Sequence, residues 1–167
     1  MKQVAQLLNE MARDGVIRSY AVFGAVAQMR YTEAVSTLDA DILISIDHAE
    51  PLTMLSPIYA YCRERGYEPE GEAIRVGDWP VQFVPVYDRL TQESVEQAEI
   101  GDMDGEPFRV VRADHLALMA IKTGRAKDYL RVVALLEAKA TTEEDITSLA
   151  AQHDLLPLWQ AFQERYL

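Results

Sequence analysis

The chain has a single cysteine, Cys62, among 167 residues. One thiol excludes an intramolecular disulfide and a cysteine-based zinc cluster, and it fits a reducing, cytoplasmic setting. Positive charge is also scarce: 16 basic residues face 27 acidic ones, a formal net charge of −11. Broad binding to DNA or RNA rests on phosphate neutralisation, so this balance argues against it while leaving room for a local basic pocket. No stretch approaches the roughly 18 apolar residues needed to cross a bilayer, so no membrane span is expected. The opening MKQVAQLLNEMARDG is interrupted by Asn9, Glu10, Arg13 and Asp14, and reads as an amphipathic helix rather than a signal peptide. The three histidines, His48, His115 and His153, lie far apart and show no metal-ligand spacing. There is no internal repeat, low-complexity tract or long linker. What remains is 49% hydrophobic and 26% charged, the profile of an ordinary globular chain. Its length suits one domain, with or without a small appendage, and allows burial of roughly 70% of the extended-chain surface.

Val4, Leu7, Leu8 and Met11 trace one face of a first helix, closed at Asp14-Gly15 with Gly15 as its C-cap. Residues 19–23 read as a buried strand and 24–29 as a helix restart. A polar loop, 32–37, leads to a second strand over 39–46. Asp47-His48-Ala49-Glu50-Pro51 ends that strand and starts a helix. In this helix Leu55, Ile58, Tyr59 and Cys62 share a face, which makes Cys62 a core residue, and Gly66 stops it. Two strands, 67–76 and 81–86, are expected around a turn at Gly77-Asp78-Trp79-Pro80. A short helix, 91–98, and a second turn at Met103-Asp104-Gly105-Glu106 follow.

Beyond Arg112 the pattern is all helix. Asp114 is the expected cap of a run to Lys122, and Gly124 interrupts it. A helix over 126–139 follows. Thr141-Thr142-Glu143-Glu144 matches a capping box that opens a helix to His153. Leu155, Trp159, Phe162 and Tyr166 stripe a last helix. The expectation is an α/β (α+β) domain over 1–111, a mixed sheet flanked by helices, then a C-terminal helical part over 112–167. That part is either packed on the sheet or a separate small bundle.

The chemistry centres on Asp39 and Asp41. Side chains alternate along a strand, so the two carboxylates share a face. Two carboxylates about 4 Å apart repel by about 4 kcal/mol at an effective dielectric of 20. A divalent cation between them relieves that repulsion, and Mg²⁺ takes one or two carboxylates together with substrate phosphates. The plainer reading is two solvated acids at a strand start, or a helix cap. Gly24, ending a strand and opening a helix, lets the backbone approach a phosphate; the plainer reading is a tight turn needing positive φ.

Taken together, strand, Gly24-Ala25, helix, loop, Asp39-Ala40-Asp41, strand resembles the nucleotidyltransferase fold of the polymerase-beta superfamily. The segments Val81-Gln82-Phe83-Val84-Pro85-Val86-Tyr87-Asp88, Leu116-Ala117-Leu118-Met119-Ala120-Ile121-Lys122 and Lys127-Asp128 are similar to the abortive-infection nucleotidyltransferase toxins and their relatives. The likeness covers 19–136. It implies a nucleotidyltransferase-like mixed sheet and transfer of a nucleoside monophosphate from a triphosphate to a hydroxyl on a protein, RNA or small molecule. It also implies Mg²⁺ or Mn²⁺ on Asp39 and Asp41, nucleotide phosphates at Gly24, Ala25 and Lys122 or Lys127, and a cognate antitoxin as a partner.

Two positions depart from the pattern. Ala25 stands where the family carries Gly or Ser, and Gln82 stands at the place of a third carboxylate. Glutamine is neutral and cannot act as a base. Glu70, Glu72, Asp78 and Asp88 are the other acids near that strand. The alternative is therefore a catalytically degenerate relative that binds a nucleotide or a protein. Lys122, Arg125, Lys127 and Arg131 form a basic cluster, with Lys127-Asp128 also readable as a structural ion pair.

Overall fold

A computed structural model describes residues 1–47 and 53–167. His48, and most of the break expected at 47–51, lie outside the described residues. The described residues form a seven-stranded sheet in the order β3-β4-β5-β2-β1-β7-β6. The strands are β1 Ser19–Phe23, β2 Ala40–Ser45, β3 Pro69–Glu70, β4 Ala73–Val76, β5 Trp79–Pro85, β6 Glu99–Met103 and β7 Glu106–Val110. The helices are α1 Lys2–Arg13, α2 Gly24–Gln28, α3 Ser56–Glu64, α4 Arg89–Glu96, α5 Ala113–Thr123, α6 Ala126–Glu137, α7 Glu143–Gln152 and α8 Leu156–Tyr166.

The mixed character expected from the sequence is present. β1 runs antiparallel to β2 but parallel to β7, and β2 runs parallel to β5. At the centre, Ile42, Leu43 and Ile44 of β2 are all fully buried. A run apolar on both faces is what a strand covered on both sides requires.

Tyr20 marks one face: its hydroxyl donates to Asn9 Oδ1 on α1 at 2.7 Å. α3 joins α1 through Tyr61, whose hydroxyl donates to Asp14 Oδ2 at 2.6 Å. Phe23, three residues beyond Tyr20, faces the opposite way, as does its register partner Asp41. α5 packs against α2 and α4, which in turn pack on β1 and β2. Eight of the 11 residues of α5 are buried, so this helix has no solvent stripe. One continuous hydrophobic cluster runs from Val4 through α5 to Trp159 and Phe162. The C-terminal helices thus share the core of the sheet. None of the described helices is long and apolar enough to cross a membrane.

Four local expectations are corrected. The span 67–76 is two short strands, because Gly71, at φ +63°, folds β3 back onto β4. The next turn is only Gly77-Asp78; Trp79 and Pro80 already belong to β5, with Pro80 opposite Arg75. Arg112, not Asp114, is the N-cap of α5, because Asp114 turns its carboxylate onto its neighbours instead. The capping box of α7 is Thr142 with Asp145, one residue later than the Thr141–Glu144 spacing suggested.

Candidate nucleotide and metal site

Three strands bring three side chains to one place. Phe23 and Gln82 are the register partners of Asp41, one on each neighbouring strand. Asp39 lies two residues before Asp41, just ahead of β2, and shares its face. Asp39 is held at both carboxylate oxygens. The Thr37 hydroxyl donates to Oδ1 at 3.3 Å and the Gln82 amide to Oδ2 at 3.3 Å. Burial pushes the Asp41 carboxyl up from its ordinary value, and the charge of Asp39 pushes it further. Arg131, Lys127 and Arg125 pull it back down.

Gly24 is required where it stands. Its φ is +66°, and a Cβ there would collide with Asp41 Oδ2. The β1–α2 turn can therefore lie against the acid only without a side chain. Asp39, Asp41, Gly24 and Ala25 all line one cleft of about 780 Å³. Its other wall comes from the C-terminal helices, through Met119, Thr123, Arg125, Lys127, Asp128 and Arg131.

That wall is built on Asp128, which is 1% exposed. Arg125 Nε donates to Asp128 Oδ2 at 2.6 Å, and Arg131 Nη1 donates to Oδ1 at 2.9 Å. Arg131 also reaches across to α2, donating to Gln28 Oε1 at 3.1 Å. One buried carboxylate thus fixes two guanidinium groups at the cleft and ties α6 to α2. The Lys127–Asp128 ion pair considered from the sequence does not form: the arginines take Asp128, and Lys127 lines the cleft.

Lys122 stands apart. Its ammonium pairs with Asp88, the N-cap of α4, and lies 5.6 Å from the centre of the Tyr87 ring. Lys122 is not among the cleft-lining residues, but Tyr87 is, so the lysine sits behind the rim. In sequence, Arg125 and Arg131 are simply members of a basic cluster. The helical spacing that puts Lys127 and Arg131 on one face was the available signal.

Cys62, His115 and His153 serve structure. Cys62 is buried, and burial pushes its thiol up to about 11. His115 Nδ1 lies 2.9 Å from Asp114, and its Nε2 lies 3.5 Å from Glu93. His153 Nε2 meets the other oxygen of Glu93 at 2.8 Å. His153 therefore ties the end of α7 to α4 through Glu93, while the buried His115 Nε2 lies beside the same glutamate without a hydrogen bond to it, relations that spacing could not reveal. Among the acids near β5, Glu70 pairs with Arg75 and Asp88 with Lys122. The described residues contain no group of three or more His, Cys, Asp or Glu side chains arranged to hold a metal.

No protein-family model and no curated protein matches this sequence. Solved structures do. The chain is similar to ANT(2'')-Ia, crystallised with adenylyl-2''-tobramycin, at 15% identity and a TM-score of 0.52, over 98% of this chain and 97% of that one. It is also similar to an antigenic nucleotidyltransferase-like protein from Paracoccidioides brasiliensis, at 12% identity and a TM-score of 0.56, over 96% and 92%. The fold is that of the nucleotidyltransferases.

Proposed function

We propose, starting from that fold, that the cleft moves a nucleoside monophosphate from a nucleoside triphosphate to a hydroxyl acceptor with one bound Mg²⁺ or Mn²⁺. The observation that carries this reading is the convergence of Asp39 and Asp41 with the Gly24 turn on one wall and three cationic side chains on the other. ANT(2'')-Ia, of the same fold, has been crystallised with an adenylylated molecule. A protein, RNA or small molecule is the acceptor class here.

The donor set fits the metal. Two carboxylates on one face leave the remaining octahedral positions to water and phosphate oxygens, the manner in which Mg²⁺ is usually bound. The missing Cβ at Gly24 keeps that space clear. Bound there, the ion would supply charge neutralisation and alignment of the reacting oxygens. Asp39 is oriented for this by Thr37 and Gln82. The backbone of Gly24 and Ala25 accepts the phosphates from the sheet side. Arg125, Lys127 and Arg131 meet the triphosphate charge from the helical side. Lys122, behind Tyr87, is paired with Asp88 and stands off the cleft.

In the transfer the acceptor oxygen forms a bond to the α-phosphorus while the bond from that phosphorus to the pyrophosphate oxygen breaks. Pyrophosphate leaves with its electron pair. Gln82 cannot take the hydroxyl proton, which passes to solvent. This favours a slow or acceptor-selective enzyme, and the same residue favours the second reading, a nucleotide-binding relative without turnover. A cytoplasmic location and a cognate antitoxin accompany the first reading by likeness to the abortive-infection toxins.

The test is transfer from labelled ATP, GTP, CTP and UTP to components of a cell extract, with wild-type protein and Asp39→Asn. Mg²⁺-dependent labelling lost in Asp39→Asn supports the enzyme. Calorimetric binding without Mg²⁺ and without labelling supports the second reading. No binding of any of the four nucleotides overturns both.

A further inference from the structure

Resting on that reading, we infer that Gln82 limits the cleft to one divalent ion per bound nucleotide. The register Asp41 opposite Gln82 fixes where the glutamine side chain must be: on the strand next to the acid pair and on the same face. A third carboxylate at that place would give three acids around one point, enough to hold two ions about 3.5–4 Å apart. The carboxamide does the reverse. It carries no charge, and its nitrogen turns toward the acid pair, donating to Asp39 Oδ2 at 3.3 Å. The N–H hydrogens turned to Asp39 Oδ2 repel a cation rather than ligate one.

Two other observations agree. The described residues offer no group of three His, Cys, Asp or Glu side chains to hold a metal, so no nearby acid replaces Gln82. Glu70 and Asp88 are engaged with Arg75 and Lys122. The opposite wall already carries positive charge: Arg131, Lys127 and Arg125 all act on Asp41. The arrangement makes Gln82 a positioning residue. It orients Asp39 for one ion and excludes another.

The experiment is equilibrium dialysis of Mn²⁺ with α,β-methylene analogues of ATP and GTP, counting both manganese and nucleotide bound per chain. Wild-type protein and Gln82→Asn are expected to hold one Mn²⁺ per bound nucleotide. Gln82→Asp and Gln82→Glu are expected to hold two. Two ions per nucleotide on the wild type overturn the inference even if the acidic variants fail to fold. One ion on folded Gln82→Asp and Gln82→Glu overturns it as well. Nucleotide bound with no manganese overturns the metal reading itself, and this inference with it.

Discussion

Gly24 and Asp41 touch across the β1–β2 ladder so closely that a single methyl group on Gly24 would overlap the Asp41 carboxylate. Backbone and acid were fitted to each other, and the glycine holds positive φ to make that fit possible.

Gly24→Ala is therefore expected to fail on two counts. Alanine in the left-handed region and the collision with Asp41 together cost at least about 2 kcal/mol. Urea denaturation should show the loss. Any folded fraction should bind nucleoside triphosphate more weakly, because Asp41 must swing away. Unchanged stability would show that the turn relaxes.

Asp41→Asn should behave in the opposite sense in the absence of metal. It removes a partly buried charge that faces Asp39, so melting in the presence of a chelator should rise by the equivalent of about 1 kcal/mol. The gain should come with loss of the Mg²⁺-induced shift in melting temperature.

Lys127 and Asp128 are neighbours in sequence with different work. Lys127→Ala should leave the urea midpoint unchanged and weaken triphosphate binding about tenfold, or about 1.4 kcal/mol. Asp128→Ala strands the largely buried Arg131, with a side chain 11% exposed. It should cost about 3 kcal/mol of stability before any binding is considered.

Asp114 provides a pH signature. Burial opposes its ionisation, but His115 and then Arg112 hold its carboxyl well below the usual carboxylate range. A carboxylate with a depressed native value contributes stability that is complete above its unfolded value and is lost as pH falls through the native one. Wild-type stability should decline below about pH 4. Asp114→Asn should lose about 1–3 kcal/mol near neutrality and show a shallower acid limb. Urea titrations between about pH 2 and 7 check both statements.

Much of this fold was legible because it is local. The stripe of Val4, Leu7, Leu8 and Met11, the apolar run of β2 and the Asp104-Gly105 turn each follow from a few neighbouring residues. Both turn residues have positive φ, at 55° and 82°. Where the structure differs, near-equal local signals compete. Thr141 and Thr142 can each begin a capping box, and the backbone chose the one whose partner is Asp145. Gly71 and Gly77 can each mark a turn, and both do.

The site was half legible for a related reason. Gly24, Asp39 and Asp41 lie within one strand–helix–strand unit, so their order and alternation specify a shared face before any packing is known. That the C-terminal helices form the opposite wall, with Arg125 and Arg131 clamped on buried Asp128, depends on contacts between residues as far apart as Gln28 and Arg131. Lys122 and Lys127 look equivalent in sequence. Only the packing of α5 against α4 sends Lys122 to Asp88 and leaves Lys127 facing the cleft. The sequence by itself determined where the acidic pair sits and that its third partner is a neutral amide. Tertiary structure decided which cations face that pair, because spacing along a chain governs neighbours on one element, whereas charge placed across a cleft is set by how the elements pack.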